Sequence, residues 1–297
     1  MTQRFDLIDL SRLPTPDVIA PLDYERLLAE MVAQVQALDP SLTPVLALES
    51  EPAIKVLQAV AYVRLLDRAR VNDAARAVML PTAGGPDLDN LAALFGVSRA
   101  VVTPADPAAL PPVAAVMESD ARLRARVQMS LQAFSCGGPA GAYQFWAMTA
   151  TPAVLDAMVD SPAPGDVRVV VLRDPASSLT ADEMITAVRD MVTREDIRVL
   201  CDNVYVQAAV PVPFSVSAQL TVADGPDTAP VLAAARAAVA AFVAERFRIG
   251  AQVTRAGLIA ALYRAGVMDV ALSQPAANVT PAAHEVAVCT SISVVAA

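Results

Sequence analysis

Catalytic chemistry in this chain would have to be built from few parts. His284 is the sole histidine among 297 residues. It stands in a Pro-rich segment ahead of the last strand-like run, where an ordinary loop role is the simplest reading. A Ser-His-Asp or Cys-His arrangement would depend on that one side chain. Cys136, Cys201 and Cys289 are odd in number, far apart and free of CxxC spacing. They make neither a disulfide framework nor a zinc site, and free thiols in a reducing compartment are expected. GxSxG, HExxH, GxGxxG and GxxxxGK[ST] are absent. Gly84-Gly85 and Gly137-Gly138 follow helical runs and read as helix stops.

Paired carboxylates are the remaining source of acid-base chemistry. Glu49 and Glu51, and Asp87 and Asp89, precede or open helices, where negative charge also suits the helix dipole. Asp182-Glu183 and Glu195-Asp196 bracket another helix. No window gathers enough carboxylates in one tight loop for an oxygen-ligand metal site. No catalytic set, cofactor or metal is expected.

A different kind of chemistry, ion pairing between chains, is written into residues 52–80. On a 100° wheel, Leu57, Val60, Ala61, Val71, Ala75, Val78 and Met79 share a face, and Arg64, Arg68 and Asn72 fall in its middle. Charged groups on an apolar face are costly unless paired. Two readings stand side by side. The side chains snorkel into solvent, or the guanidinium forks meet carboxylates from another chain and fix register. The second makes Leu57, Val60, Arg64, Arg68, Val71, Asn72, Ala75 and Met79 a candidate partner interface.

The elements that must position these residues follow from pattern. Residues 1–21 carry Pro14, Pro16 and Pro21 and read as an extended arm whose apolar residues could lie along a neighbour. Residues 22–98 read as a helical region. It has a helix over Tyr24–Leu38, the long helix from Pro52 to about Leu80, and a short one over Leu88–Phe95 with Asp87 as N-cap. Four prolines make 99–116 a surface linker. In 117–210 the pattern predicts helices at 119–134 and 140–149, strands at 154–159, 167–172 and 204–210, and a helix at 180–193 with a Thr180/Glu183 capping box. Arg122, Arg124 and Arg126 stand at every second position and so fan around the first of these helices. In 211–297 it predicts a strand at 214–222, helices at 227–247 and 253–265, and strands at 267–272 and 285–295. Pro211 and Pro213 mark an interruption or an edge in the sheet.

The fold class is therefore α+β, a long-helix region followed by mixed subdomains. One internal echo bears on how those arose. A helix leads into AVLDAMVDSPAPGDV, and later another leads into GVMDVALSQPAANV, matching Asp156 to Asp269 and Ser161 to Ser273. Duplication and coincidence both fit.

Composition narrows the partners. The chain is 55% hydrophobic and 18% charged with a net charge of −9, so it is globular and does not present nucleic acid with a basic surface as its main face. No secretory apolar region is visible in 1–20, and the most apolar helical run, Val231–Val243, is interrupted by Arg236 and too short to span a bilayer. Neither a membrane nor a nucleic acid is expected as a partner.

LESEPAIKVLQAVAY…RVNDAARAVMLPTAGGPDLDNLAALFGV resembles the signature of the baseplate assembly protein J family of contractile-tailed phages. So do VMESDARLRARVQMSLQAFSCGGPAGAYQFWAMTATPAVLDAMVDSPAPGDVRVVVL and DIRVLCDNVYVQAAVPVPFSVSAQL, in the family's order. The resemblance implies a structural wedge protein of the inner baseplate ring around the hub. Its expected partners are a second copy of itself, a partner wedge protein joined through a helical bundle, the sheath-initiating baseplate protein and the hub. It implies assembly in the host bacterial cytoplasm, residence in the virion tail baseplate, and contacts that hold and then rearrange on contraction. The same scaffold in a tailocin-type particle, or a tail-associated cell-wall hydrolase working through carboxylates alone, are the alternatives.

Overall fold

The computed structural model describes residues 7–135, 137–223 and 227–297. Arg4, Asp6 and Cys136 lie outside the described residues. The chain divides into two compact units. One contains Ile8–Ser98 together with Asp120–Arg124; the other contains Arg99–Ser119 and Ala125–Ala297.

The first unit is helical. Its helices are α1 (Tyr24–Leu38), α2 (Thr43–Leu46), α3 (Pro52–Ala77) and α4 (Gly85–Ala93). Asp23 caps α1 by accepting a hydrogen bond from the Arg26 N–H at 3.0 Å, and α1 has the bounds its apolar periodicity predicts. Pro52 opens α3, where its missing N–H costs nothing. α3 stops at Ala77, short of the expected Leu80, because the chain turns at once. Thr82 Oγ1 donates to the Arg76 carbonyl at 2.7 Å, and the Ala83 N–H donates to the Met79 carbonyl at 2.8 Å.

α4 corrects another expectation. Its N-cap is Gly84, not Asp87, which lies within the first turn. The N–H of Gly85 is satisfied from a distance by Asp120 Oδ2 at 3.1 Å. Asp120 opens α5 (Asp120–Ala133). One turn later Arg124 donates to the carbonyls of Leu80 and Ala83 at 2.7 and 2.8 Å. A cap supplied 35 residues away leaves no local signature.

The second unit begins with the Pro-rich stretch read as a linker. It folds back on itself as an antiparallel hairpin. β1 (Val101–Thr103) pairs with β2 (Val116–Met117), and Asp106 bridges Val113 beyond them. The prolines at 104, 107, 111 and 112 all fall at unpaired positions, which is how a ladder tolerates them. Glu118 follows, buried, with its carboxylate 2.6 Å from Arg126 Nη1 of α5.

Two three-stranded sheets complete the unit. The first has the order β3-β4-β5, with β3 (Val154–Asp160) antiparallel and β5 (Asn203–Ala208) parallel to the central β4 (Asp166–Arg173). α6 (Ala140–Ala150) and α7 (Ala181–Val192) pack on it. Thr180 and Glu183 form the predicted reciprocal capping box at the start of α7. Val169, Val170, Val171 and Leu172 are all buried, so β4 is covered on both faces. The second cover comes from Ile249 and Phe247, which share a cluster with Val170, Leu172 and Val286.

The second sheet has the order β7-β6-β8. β6 (Val210–Val222) pairs antiparallel with β7 (Val267–Gln274) and parallel with β8 (Glu285–Ala296). α8 (Thr228–Glu245) and α9 (Arg255–Leu262) cover one face through Ala235, Val239, Leu258 and Leu262. Pro211 and Pro213 sit at the start of β6, where only β8 flanks it, since β7 pairing begins at Ser217. The Val210 N–H donates to the His284 carbonyl, so the alternate Pro positions face the unpaired side. The edge reading of these prolines holds for this stretch.

β5 and β6 are nearly continuous. The Ala209 N–H donates to Val171 of the first sheet and the next N–H donates to His284 beside the second, so the strand changes sheets at that residue.

Both sheets flank a central strand with one antiparallel and one parallel neighbour, and in each a helix leads into the antiparallel edge. The chain order differs, because the central strand comes second in one and first in the other. Asp156 is buried and accepts from the Ile249 N–H at 3.0 Å, whereas Asp269 is exposed. The order of elements is therefore not a tandem repeat.

One length expectation changes. The apolar run around Val231–Val243 belongs to an 18-residue helix that is long and apolar enough, by length and composition, to cross a membrane. Here Ala235 and Val239 pack into the core of the second sheet, and Arg236 Nη2 donates to the Val294 carbonyl at 2.6 Å.

Candidate partner interface on the long helix

α3 carries two apolar seams, each with the alternating three- and four-residue spacing of a heptad pattern, offset by one residue. The inner seam runs Ile54, Gln58, Ala61, Leu65, Arg68, Asn72, Ala75, Met79 and is buried or half-buried throughout. It packs on α1, where Leu27 is fully buried and Tyr24 donates its hydroxyl to the Gln58 carbonyl at 3.5 Å. The outer seam runs Ala53, Leu57, Val60, Arg64, Asp67, Val71, Ala74, Val78. Leu57 is half-buried and the others are exposed, with Val60 at 48%, Val71 at 55% and Val78 at 70%. A 100° wheel merges two seams one residue apart, which is why residues of both appeared as one face.

The predicted interface residues divide accordingly. Arg68, Asn72, Ala75 and Met79 belong to the inner seam; Leu57, Val60, Arg64 and Val71 belong to the outer one. The two polar inner residues have partners within the chain. Asn72, 2% exposed, accepts from the Ala20 N–H at 3.0 Å and donates through Nδ2 to the Ala20 carbonyl at 2.8 Å. Its amide thus mimics one rung of a β-ladder and satisfies a backbone segment that has no secondary structure of its own. Arg68 Nη1 donates to the Pro21 carbonyl at 3.4 Å. The arm around residues 18–21 is thereby held along α3.

The arm deepens the outer seam into a groove. Val18 and Ala20 form one wall and Val60, Val63, Arg64, Asp67 and Val71 the other, enclosing about 510 Å³. Asp67 and Val63 were missed from sequence. Asp67 lies three residues after Arg64, a spacing that reads as an ordinary helix-surface pair. Arg64 and Asp67 are both exposed in the groove, yet no side-chain hydrogen bond or salt bridge joins either to another described residue. With Val56 and Val63 also more than half exposed, the face is apolar with a charged centre.

Two of the paired carboxylates have structural contacts. Glu183 is part of the capping box, and the hydrogen bonds from Thr180 hold its carboxyl below the usual range. Asp196 is paired with Arg194 at 2.6 Å, which lowers its pKa. His284 is half-buried, with its carbonyl accepting from Val210. Tyr143 lines a polar hollow of about 290 Å³ with Ser135, Trp146 and Arg198. Its hydroxyl donates to Asp202 at 2.7 Å and accepts from the Val199 N–H at 3.2 Å. Burial, aided by Asp202, pushes that phenol up to about 12. Among the described residues no group of three or more His, Cys, Asp or Glu is placed to hold a metal ion.

Comparison with known proteins supplies a family for this scaffold. Residues 49–106 match the baseplate J-like N-terminal domain, 135–208 the baseplate J-like central domain, and 214–295 the baseplate J-like protein C-terminal domain. The first match contains α3, α4 and β1; the second contains the β3-β4-β5 sheet; the third contains nearly all of the β7-β6-β8 sheet. Over 294 residues the chain is 38% identical to baseplate protein J of Escherichia phage P2, covering 97% of each chain. With all three domains in order and that identity end to end, the chain belongs to the baseplate J family and is a structural protein of the phage tail baseplate.

Proposed function

We propose that this protein is a wedge component of the inner baseplate ring around the hub, a scaffold and not an enzyme, and that the outer seam of α3 joins it to its neighbours. Those neighbours are a second copy of the chain and a partner wedge protein, with the sheath-initiating baseplate protein and the hub lying against the same ring. Assembly takes place in the host cytoplasm. The observation that carries this reading is the outer seam itself. α3 already buries one face on α1 and the arm, yet keeps Val56, Val60, Val63, Val71 and Val78 in solvent. A helix covered on one face needs no second apolar face for its own stability.

The test is co-expression with the partner wedge protein and scoring of tail particles by electron microscopy. Val60→Asp/Val71→Asp should fold normally, because both side chains are exposed, yet fail to co-purify and fail to yield baseplates. The paired substitution Arg64→Ala/Asp67→Ala should weaken the same steps. Normal particles from the Val60→Asp/Val71→Asp variant would overturn the reading.

A further inference from the structure

Two sheets on one chain are free to move against each other unless the surface between them is extensive and apolar. Here the direct connection leaves no slack. The Ala209 N–H donates to the Val171 carbonyl of the first sheet at 2.9 Å, and the Val210 N–H donates to the His284 carbonyl beside the second at 3.0 Å. A second connection crosses between the sheets at residues 247–250, which join α8 to α9. Phe247 and Ile249 share an apolar cluster with Val170 and Leu172 of β4 and with Val286 and Val288 of β8. The Ile249 N–H donates to the buried carboxylate of Asp156 in β3 at 3.0 Å. The next N–H, of Gly250, donates to the Glu285 carbonyl of β8 at 2.8 Å. Consecutive N–H groups are thus held by different sheets. Gly250, at φ 69°, then turns the chain toward α9 in a conformation that glycine adopts without steric cost.

We propose that residues 247–250 are a clasp that fuses the central and C-terminal domains into one cooperative body, so that neither sheet opens without the other. Asp156 is its positioning residue: by holding the Ile249 N–H it keeps the Ile249 side chain between the sheets. Each sheet has a core of its own. α7, which packs on the first sheet, buries Met184 and Val188 completely, and α8 and α9 bury Val239, Leu258 and Leu262 on the second. Without a clasp, two such cores open as separate units. With it, withdrawing Val170 and Leu172 uncovers Ile249 and Val286, so the apolar surface exposed by one opening belongs to both sheets. The inference does not depend on which face of α3 joins the neighbours. Its consequence in a baseplate is mechanical: a displacement of one sheet is passed to the other with no joint between them.

The experiment is native-state hydrogen exchange of the purified full-length chain, read by mass spectrometry at rising urea concentrations below the unfolding transition. In the wild type the protected amides of β4 and those of β6 and β8 should merge onto one opening equilibrium. Two core truncations far from the clasp then test the coupling. Met184→Ala perturbs only the core of the first sheet, and Leu258→Ala only that of the second. Each should speed exchange in both sheets by the same factor, about thirtyfold or more. Asp156→Ala/Ile249→Ala removes the clasp. In that background Met184→Ala should speed exchange in β4 and leave β6 and β8 unchanged.

Separate opening equilibria for the two sheets in the wild type would overturn the inference. So would a Met184→Ala effect confined to the first sheet, or a Leu258→Ala effect confined to the second, while the clasp is intact. Coupling that survives Asp156→Ala/Ile249→Ala would assign it to the strand passage at Ala209 alone and would equally sink the clasp. Should the double variant fail to fold, the wild type and the two core truncations still decide whether the sheets open together, and Ile249→Val takes its place. That conservative truncation should speed exchange in both sheets by one common factor, and a change in one sheet only would overturn the proposal.

Discussion

Asn72 and Ala20 exchange two hydrogen bonds across 52 residues of chain, at 3.0 and 2.8 Å, and Asn72 is all but excluded from solvent. A side-chain amide here does what a neighbouring strand does elsewhere. Asn72→Ala would leave the Ala20 N–H and carbonyl without those partners, at a cost of about 1–3 kcal/mol. The loss should fall on the arm more than on the helix pair. Limited proteolysis should cut within residues 14–21 faster than in the wild type, while the helical content measured by circular dichroism stays nearly constant. Equal cleavage rates would show that the arm is held by something else.

Much of this molecule was legible in its pattern, and the exceptions share a cause. α1, α7, β3 and β4 lie within a residue or so of where periodicity and capping place them. Each is defined by residues inside or beside it: Asp23 for α1, Thr180 and Glu183 for α7. What could not be read were devices whose partners are remote in sequence. Asp120 completing the start of α4, the return of the hairpin from Val101 to Met117, and Ile249 plugging the first sheet all depend on contacts between residues well separated in sequence. The candidate interface shows the same limit. Residue type singled out Arg64, Arg68 and Asn72 together, but only packing on α1 and the arm separates the inner pair from the outer arginine.

Asp160 and Arg168 face each other across the β3–β4 ladder and form a two-pronged pair at 2.8 and 2.5 Å, both largely buried. The hydrogen bonds from Arg168 hold the Asp160 carboxyl below the ordinary carboxylate range. A folded-state pKa below the unfolded one gives stability that is complete above the unfolded value of about 4 and fades as pH falls through the folded value. Asp160→Asn should therefore cost about 1–2 kcal/mol near neutrality. In acid below both values the cost should shrink. Urea titrations of the two proteins at neutral and acid pH check this, and a difference that does not narrow in acid would contradict it.

Tyr143 titrates in the other direction. Its phenol, raised to about 12, ties α6 to the loop carrying Val199 and Asp202. The unfolded chain ionises near pH 10, so the contribution is complete below that pH and is lost as pH rises toward the folded value. Tyr143→Phe should destabilise the protein by about 1–2 kcal/mol at neutral pH. An alkaline absorbance titration of the native protein should lose its highest-pH phenolate step in this variant. A variant whose titration keeps that step would assign the late phenol to one of the other four of the chain's 5 tyrosines.

The Glu118–Arg126 pair poses the sharpest energetic contrast, because its side chains are 0% and 5% exposed and lie 2.6 Å apart. Glu118 Oε2 also accepts from the Ala100 N–H at 3.0 Å, and Arg99 donates to the Glu118 carbonyl at 2.6 Å, so the carboxylate sits where the hairpin closes on itself. Desolvating two charges consumes much of their mutual attraction, yet removing one takes from the other its counter-charge at 2.6 Å in a buried setting. Glu118→Ala should therefore cost about 3–5 kcal/mol. Glu118→Leu/Arg126→Met, which removes both charges and keeps the volume, should recover most of that loss. Denaturant unfolding of the three proteins decides between this and the simple view that the pair is a strong net stabiliser. On that view the double variant would be as unstable as the single, and a matched loss in both would overturn the prediction.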